Sequence, residues 1–333
     1  MPWPEMFIAG TGTCLPDTTA VPDAVAAGAY DAEEALESEY LCITTGGAED
    51  YPADFAVGAA RSALALSNHQ PTDVSLLLYS VGFSSGPLVA NAAAHVQRRL
   101  EARSAVPLEL RGLSNGLISL PLVCAWLTSQ PKGAVALLVG GDRWHLPRFD
   151  RWRANRGLVF GDGGGALVLS HERGFGRIVN VATVADAELE GLHRGAAQDD
   201  DGRLIDLAQR AAEFRRERGE QWHRRHAGIR AALDNVLRPS ALTVADVSQF
   251  VVPFFGTRLL HREVLEPLDI PPHALIAGLG HKIGHLGPAD NFVGYDHLIR
   301  AGQVSPGDWT VLLAVGAGFT WTAVLLQAVT ATR

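Results

Sequence analysis

The segment "VPLELRGLSNGLISLPLVCAW" carries a serine between two glycines, Gly112, Ser114 and Gly116, after an apolar run and before a helical one. Gly-x-Ser-x-Gly between a strand and a helix is the nucleophile-elbow pattern. Its glycines permit a strained turn, and the backbone N–H groups behind it can hold an oxyanion. Read alone, Ser114 is equally a small residue in a packed bend. A serine nucleophile needs a base. Of 12 histidines, the most suggestive lie in "GLGHKIGHLGPADN": His281, then His285, with Asp290 five residues further on. Such a bend can supply both a base and the carboxylate that orients it. His281 and His285 have metal-ligand spacing, but no third ligand cluster accompanies them, so no metal is expected. A late glycine turn, "LLAVGAGFTW", places Gly316 and Gly318 where a backbone N–H can approach a carbonyl closely.

These residues require elements to hold them. "MFIAGTGTCLP" reads as a short strand ending in a glycine-rich turn, and "YPADFAVGAARSALALSN" as a helix. "DVSLLLYSVG" and "GAVALLVGGD" are continuous apolar runs suited to strands buried on both faces. "GLISLPLVCAWLTS" is helical, with Pro121 tolerated in its first turns. "GLVFGDGGGALVLSHE" reads as two strands around a glycine turn. This grammar repeats. "PTDVSLLLYSVGF" corresponds to "TVADVSQFVVPFF", and "KGAVALLVGGD" to "GDWTVLLAVGAG". Aligning Asp73 with Asp246 puts the counterpart of Ser114 at Gly287, beside His285. An internal duplication then makes these two turns neighbours across a pseudo-twofold axis. The expected halves are 1–170, carrying the nucleophile, and 171–333, carrying the histidine. A polar insertion at about 186–226 is helical after Asp206, with "AAQDDDG" as its loop.

Length and composition bound the function. The chain has 333 residues, 47% hydrophobic and 19% charged, enough for a large core. A net charge of −8 argues against nucleic acid as a partner. The cluster "RRERGEQWHRRH" is interleaved with glutamates and reads as a solvated helix face. No run is long and apolar enough for a membrane span, and "MPWPEMFIAGTG" is not a secretory leader. Cys14, Cys42 and Cys124 suit a reducing cytoplasm.

Three stretches together, "FIAGTGTCLP", "GLVFGDGGGALVL" and "GAGFTW", occur in the order found in β-ketoacyl-[acyl carrier protein] synthase III of the thiolase superfamily, and the chain resembles that family along nearly its whole length. The resemblance implies an α/β thiolase fold: two pseudo-repeated halves in a five-layered αβαβα sandwich, assembled as a homodimer. It also implies a catalytic cysteine, histidine and asparagine, and each position departs from that set. Ser114 stands at the cysteine position. Phe254, in "VVPFFGTR", stands at the histidine of a Val-Pro-His motif. His285 stands at the asparagine. Gly318 matches the glycine whose N–H completes the oxyanion hole with that of Ser114.

Condensation needs donors where enolate charge develops, and Phe254 offers none from its side chain. Acyl transfer needs a nucleophile, an oxyanion hole and one base. The pattern resembles the acyltransferase branch of the family found in antibiotic biosynthesis, including serine variants that select polyketide starter units. It implies Ser114, His285 and Asp290 as the catalytic set, with no cofactor. The acyl donor would be a carrier-protein or coenzyme A thioester, and the acceptor a small hydroxyl or amine. Arg156, Trp152 and Phe254 are weaker substrate-binding candidates, and Trp144 lies in the same arginine-rich loop as Trp152. "SVGFSSGPLVAN" matches the region that shapes the acyl pocket. Three readings compete: a priming ketosynthase III-like enzyme, a non-catalytic acyl-thioester-binding subunit, and an α/β-hydrolase. The last expects its histidine after the acid, where His297 would serve.

Overall fold

The computed structural model describes residues 5–84, 86–87, 89–194, 204–276 and 278–329. The expected loop at 196–202 lies outside them, as do Ser85 and Leu88 of the expected pocket region. In chain order the strands are β1 (Phe7–Cys14), β2 (Thr18–Ala20), β3 (Cys42–Thr44), β4 (Val74–Ser80), β5 (Val106–Leu110), β6 (Val135–Asp142), β7 (Gly163–Ser170), β8 (Gly176–Ala185), β9 (Gln249–Val251), β10 (Trp309–Gly316) and β11 (Thr320–Ala328). β2 and β3 form a separate ribbon. The other strands join in the order β5-β4-β6-β7-β1-β8-β11-β10-β9.

That order reads the same outward from its middle. β1 and β8 meet antiparallel over only Phe7↔Arg177 and Ile8↔Gly176. From this seam one arm runs β7, β6, β4, β5, with β6, β4 and β5 parallel. The other runs β11, β10, β9, with β10 and β9 parallel, and ends in a parallel bridge from Phe250 to Leu275. The two Asp-Val-Ser stretches lead into β4 and β9, which hold equivalent places. Each is preceded by a short 3₁₀ turn closed the same way: Asp73 accepts the Gln70 N–H at 2.8 Å, and Asp246 accepts the Thr243 N–H at 2.7 Å.

Apolar burial sets the layers. One core cluster packs the helices Pro52–Ser67 and Ala92–Leu100 on the outer face of the first arm, with Ala56, Ala63 and Val96 against Leu77 and Val139. Another packs the helix Gly219–Leu237 on the outer face of the second arm, with Ile229 and Leu233 against Leu313 and Leu325. Between the arms lie the helices Leu120–Leu127 and Asp290–Arg300, whose Leu120, Cys124, Phe292 and Tyr295 fill the space between Leu78 and Leu138 on one side and Leu312 and Val324 on the other. The result is the five-layered αβαβα sandwich of the thiolase fold. Among the described residues no helix is long and apolar enough to cross a membrane.

Three local expectations are corrected. The glycines of "FIAGTGTC" lie inside β1 rather than in a turn after it. A Cβ on Gly10 or Gly12 would sit 2.1 Å from the carbonyl oxygen of Ala63 or Ala59, so the bare backbone lets the Pro52–Ser67 helix press onto the strand. "GLVFGDGGGALVLSHE" forms one strand, β7, and Gly163–Gly165 begin it. A Cβ on Gly164 would meet the backbone of Phe55 and Ala56 at 2.7–2.8 Å, and one on Gly165 would meet Phe292 at 2.8 Å. This strand is therefore pressed by a helix on each face. The arginine cluster is not wholly solvated either. The helices Leu207–Glu217, capped by Asp206, and Gly219–Leu237 break at Arg218. Arg225 is buried, with its guanidinium 3.5 Å above the Trp222 ring and 3.1 Å from Glu263.

Candidate active site

Ser114 occupies a tight turn after β5. The Asn115 N–H donates to the Gly112 carbonyl at 3.0 Å, and Leu113 is held in the left-handed region at φ 50. For a leucine that conformation costs about 1 kcal/mol or more, so the surroundings must enforce it. The two glycines of the motif do different work. A Cβ on Gly112 would lie 2.6 Å from the Asn115 carbonyl oxygen and block turn closure. A Cβ on Gly116 would lie 2.3 Å from the Pro288 carbonyl oxygen. Gly116 therefore admits the histidine loop from the other half. A short 3₁₀ turn, Gly116–Ser119, precedes the expected helix, which begins at Leu120.

His285 comes from a loop bent by Gly284 at φ 84 and Gly287 at φ 63. Its backbone is clamped to the first half: its N–H donates to Val159 at 2.9 Å, and its carbonyl accepts from Gly161 at 3.0 Å. The side chain is buried. Its Nε2 lies 2.8 Å from Ser114 Oγ, and its Nδ1 lies 2.5 Å from Asp290 Oδ2. Phe160 and Phe255 stand edge-on to the imidazole at 5.4 and 5.9 Å. Asp290, the first residue of its helix, is 2% exposed. Its Oδ1 accepts the Leu286 N–H at 2.7 Å and its Oδ2 the Phe254 N–H at 2.9 Å. A carboxylate facing Nδ1 and two backbone donors accepts all three, so Nδ1 carries the ring proton. Nε2 then presents its lone pair to the Ser114 hydroxyl.

Gly318 lies in the turn between β10 and β11 with φ 124, where only glycine is relaxed. Its neighbour Phe319 is tied to Asp186 in both directions: the Phe319 N–H donates to the Asp186 carbonyl at 3.0 Å, and the Asp186 N–H donates back at 2.9 Å. Among the described residues neither the Ser114 nor the Gly318 N–H is taken up by a hydrogen bond. His193, from the insertion, lies with its ring 5.2 Å from that of Phe319. Burial lowers its pKa to about 4 and keeps it neutral.

The structure thus brings Ser114, His285 and Asp290 into one hydrogen-bonded chain. It does not bring the side chains of the weaker candidates into that chain, although the Phe254 N–H donates to Asp290. Arg156 is 86% exposed and lies 3.8 Å from Glu34. Trp152 packs on Tyr30 at 5.5 Å, in the cluster of Val21, Tyr40 and Ile43. The Phe254 ring packs with Ile283, Leu286, Ala289 and Val293, because a phenyl group at a buried position takes the apolar side of its backbone. Phe254 also lines an apolar cavity of about 160 Å³ with Phe250, Val252, Phe255, Leu275 and His281, but Ser114 and His285 do not line it. Trp144 packs with Phe83, Phe149 and Phe160, and Phe160 in turn stands against His285. His281 contacts Thr257, and Ser114 faces His285 rather than His297.

Sequence reasoning missed the Phe254 amide, the Phe160 and Phe255 rings on His285, and Asn115. Phe160 at least sits in a motif already singled out. Burial raises the pKa of Cys14, and pushes that of Cys124 up to about 12. Among the described residues no group of three or more His, Cys, Asp or Glu could hold a metal ion.

Comparisons with known proteins bear on the family and the fold. A family model for the C-terminal part of 3-oxoacyl-[acyl carrier protein] synthase III matches residues 237–328. The β-ketoacyl-[acyl carrier protein] synthase III of Hyphomonas neptunium is 25% identical over 325 residues, covering 96% of this chain and 98% of its own. That of Rhizorhabdus wittichii is 26% identical over 328 residues, with the same coverage. The solved structure of ChlB3, described as an acyltransferase, superposes with a TM-score of 0.94 at 32% identity over 98% of each chain. The synthase III of Aquifex aeolicus shares the fold, with a TM-score of 0.80 at 22% identity over 97% of this chain and 99% of its own. With 98% of its length aligned to ChlB3 at 32% identity, the chain belongs to the β-ketoacyl-[acyl carrier protein] synthase III-like family of the thiolase superfamily.

Proposed function

We propose that this protein is an acyltransferase that works through an acyl-Ser114 intermediate. The observation carrying this reading is the continuous chain Ser114 Oγ–His285 Nε2, His285 Nδ1–Asp290. An acyl thioester of a carrier protein or coenzyme A enters as donor, a substrate rather than a resident cofactor. His285 Nε2 takes the hydroxyl proton as Ser114 Oγ bonds to the thioester carbonyl carbon. The Ser114 and Gly318 N–H groups receive the charge on the carbonyl oxygen. The C–S bond breaks, and the imidazolium returns its proton to the departing thiolate. A hydroxyl or amine acceptor then loses its proton to His285 and bonds to the acyl carbon. The C–Oγ bond breaks, and Ser114 recovers its proton from the imidazolium. The place of this step in secondary metabolism, a cytoplasmic setting and homodimer assembly belong to the same reading. So does the division of the chain near residue 170 into two duplicated halves.

Phe254 favours transfer over condensation. Its ring is committed to packing, and only its amide faces the catalytic carboxylate. The test is incubation with a panel of carrier-protein and coenzyme A thioesters, followed by intact mass spectrometry. An adduct that maps to Ser114 and disappears in Ser114→Ala is expected. An adduct that persists in Ser114→Ala sinks the nucleophile assignment. Normal turnover in His285→Ala places the base elsewhere. Carbon dioxide released from a malonyl thioester supports the ketosynthase reading, and a folded wild type that never loads supports the non-catalytic one.

A further inference from the structure

Asn115 follows the nucleophile, yet its side chain is fully buried and points away from the catalytic chain. Its Nδ2 donates to Thr320 Oγ1 at 3.1 Å and to Thr322 Oγ1 at 3.0 Å, two hydroxyls on one face of β11. Thr322 Oγ1 is in turn 2.9 Å from Thr183 Oγ1 on β8. β11 is the second strand of the hairpin whose turn carries Gly318. The first strand is in contact as well. A Cβ on Gly316 would stand 2.7 Å from Asn115 Cβ and 2.5 Å from the Gly112 carbonyl oxygen, so the end of β10 rests directly on the Ser114 turn.

Two amides that must converge on one oxyanion lie 204 residues apart (318 − 114), on different halves of the chain. Backbone hydrogen bonds hold each turn to its own surroundings: Gly112 to Asn115, and Phe319 to Asp186. Neither sets the distance between the turns. The Asn115 carboxamide does bridge them.

We propose that Asn115 is a positioning residue that fixes the spacing of the Ser114 and Gly318 N–H groups by tying the nucleophile turn to the β10–β11 hairpin. The proposal rests on the acyl-Ser114 reading. One further observation separates this role from ordinary packing. The other end of the amide, Asn115 Oδ1, is buried and has no partner among the described residues. An apolar side chain there would remove that unpaired oxygen and leave Thr322 Oγ1 paired with Thr183, at the cost of the donor to Thr320 Oγ1, so the carboxamide gains little for stability alone.

Asn115→Leu keeps the branched outline of the side chain, with somewhat more bulk, and removes the bridge. Thr320→Val removes one of its acceptors from the other side. Single-turnover acyl loading of wild type and variants, with thermal unfolding alongside, reads both roles. Asn115→Leu is expected to stay folded at 25 °C, with a melting point within several degrees of wild type, and to load roughly 10–100-fold more slowly, less than the loss of a whole oxyanion donor. Its apparent affinity for the thioester should change by less than about threefold, since only the transition state is affected. Thr320→Val should slow loading in the wild-type background and do nothing further in Asn115→Leu. If Asn115→Leu fails to fold, the Thr320→Val result decides. Wild-type loading rates in the folded variants, effects of the two substitutions that multiply independently, or a slowing that follows the loss of thermal stability would each overturn the proposal while leaving acyl-Ser114 in place. Absence of any wild-type adduct at Ser114 would overturn both.

Discussion

Asp290→Asn isolates what the carboxylate does, because it preserves shape and removes charge. Every neighbour of that group is a donor: Leu286 N–H at 2.7 Å on Oδ1, and Phe254 N–H at 2.9 Å and His285 Nδ1 at 2.5 Å on Oδ2. The new NH₂ therefore has no good place. In the Oδ1 position it meets the Leu286 N–H, a donor against a donor. In the Oδ2 position it meets the Phe254 N–H and forces His285 Nδ1 to accept. The ring proton then moves to Nε2, and no lone pair faces the Ser114 hydroxyl. Either placement also removes the negative charge that stabilises the imidazolium. A triad held in the wrong tautomer loses roughly 10³–10⁴ in rate, which is about 4–5.5 kcal/mol in the barrier. The unmatched buried N–H costs the fold about 1–3 kcal/mol, so the protein should remain folded at 25 °C with a melting point lower by several degrees. Intact-mass acyl loading in single turnover, on material checked by circular dichroism, measures the first quantity. Folded Asp290→Asn that loads within about tenfold of wild type would show that Asp290 does not set the tautomer, and the mechanism would need another orienting group.

Three further outcomes follow from the geometry. Gly318→Ala places its Cβ in open space but at φ 124, so the expected loss is in backbone conformation and not in packing; acyl loading should fall about 10²-fold, and unchanged loading would remove Gly318 from the oxyanion site. Phe254→His should not restore decarboxylation. The imidazole would enter the cluster of Ile283, Leu286, Ala289 and Val293, lowering stability by about 2–3 kcal/mol, and release of carbon dioxide from a malonyl thioester would refute this. Asp142 accepts the N–H groups of Gly82, Phe83 and Ser84, yet burial raises its pKa to about 7. Its folded pKa lies above the unfolded value, so the unfolded state holds fewer protons between about pH 4 and 7, and stability falls as pH rises through that window. The melting point of wild type minus that of Asp142→Asn should therefore fall from pH 4 to pH 7, and a difference independent of pH would show that the buried carboxyl ionises normally.

Much of the site was legible because it is built from a repeated grammar. The offset between the two Asp-Val-Ser stretches put Ser114 opposite Gly287. In the structure Gly116 touches Pro288, and Ser114 Oγ touches His285. Each turn follows the outermost segment of its arm, β5 in one and the Leu275 bridge in the other, and each precedes a helix of the central layer. Features that depend on distant backbone were not legible. Gly10, Gly12, Gly164 and Gly165 look like turn glycines to any local pattern, and the helices pressed on β1 and β7 explain them as strand residues. Trp152 and Arg225 illustrate the same limit for side chains. Both lie among charged residues in sequence, but Tyr30 receives one and the Trp222 ring and Glu263 receive the other.

Position 254 shows why a departure read from the side chain alone is incomplete. Read as a side chain, phenylalanine removes a donor, and the argument stops at a lost activity. Read as a backbone, the same residue supplies one of the two N–H groups that hold Asp290, and its carbonyl accepts the Tyr40 hydroxyl at 2.8 Å. Phe254 therefore remains part of the structure that orients His285, even though its ring faces the core. With an imidazole at 285 already between a hydroxyl and a carboxylate, a second imidazole at 254 would face the apolar cluster rather than the reacting carbonyl. On the acyl-Ser114 reading, the changes at 114, 254 and 285 form one coupled arrangement. A serine requires the histidine–carboxylate pair, that pair is held in part by the 254 amide, and the ring at 254 packs with Ile283, Leu286, Ala289 and Val293 beside it.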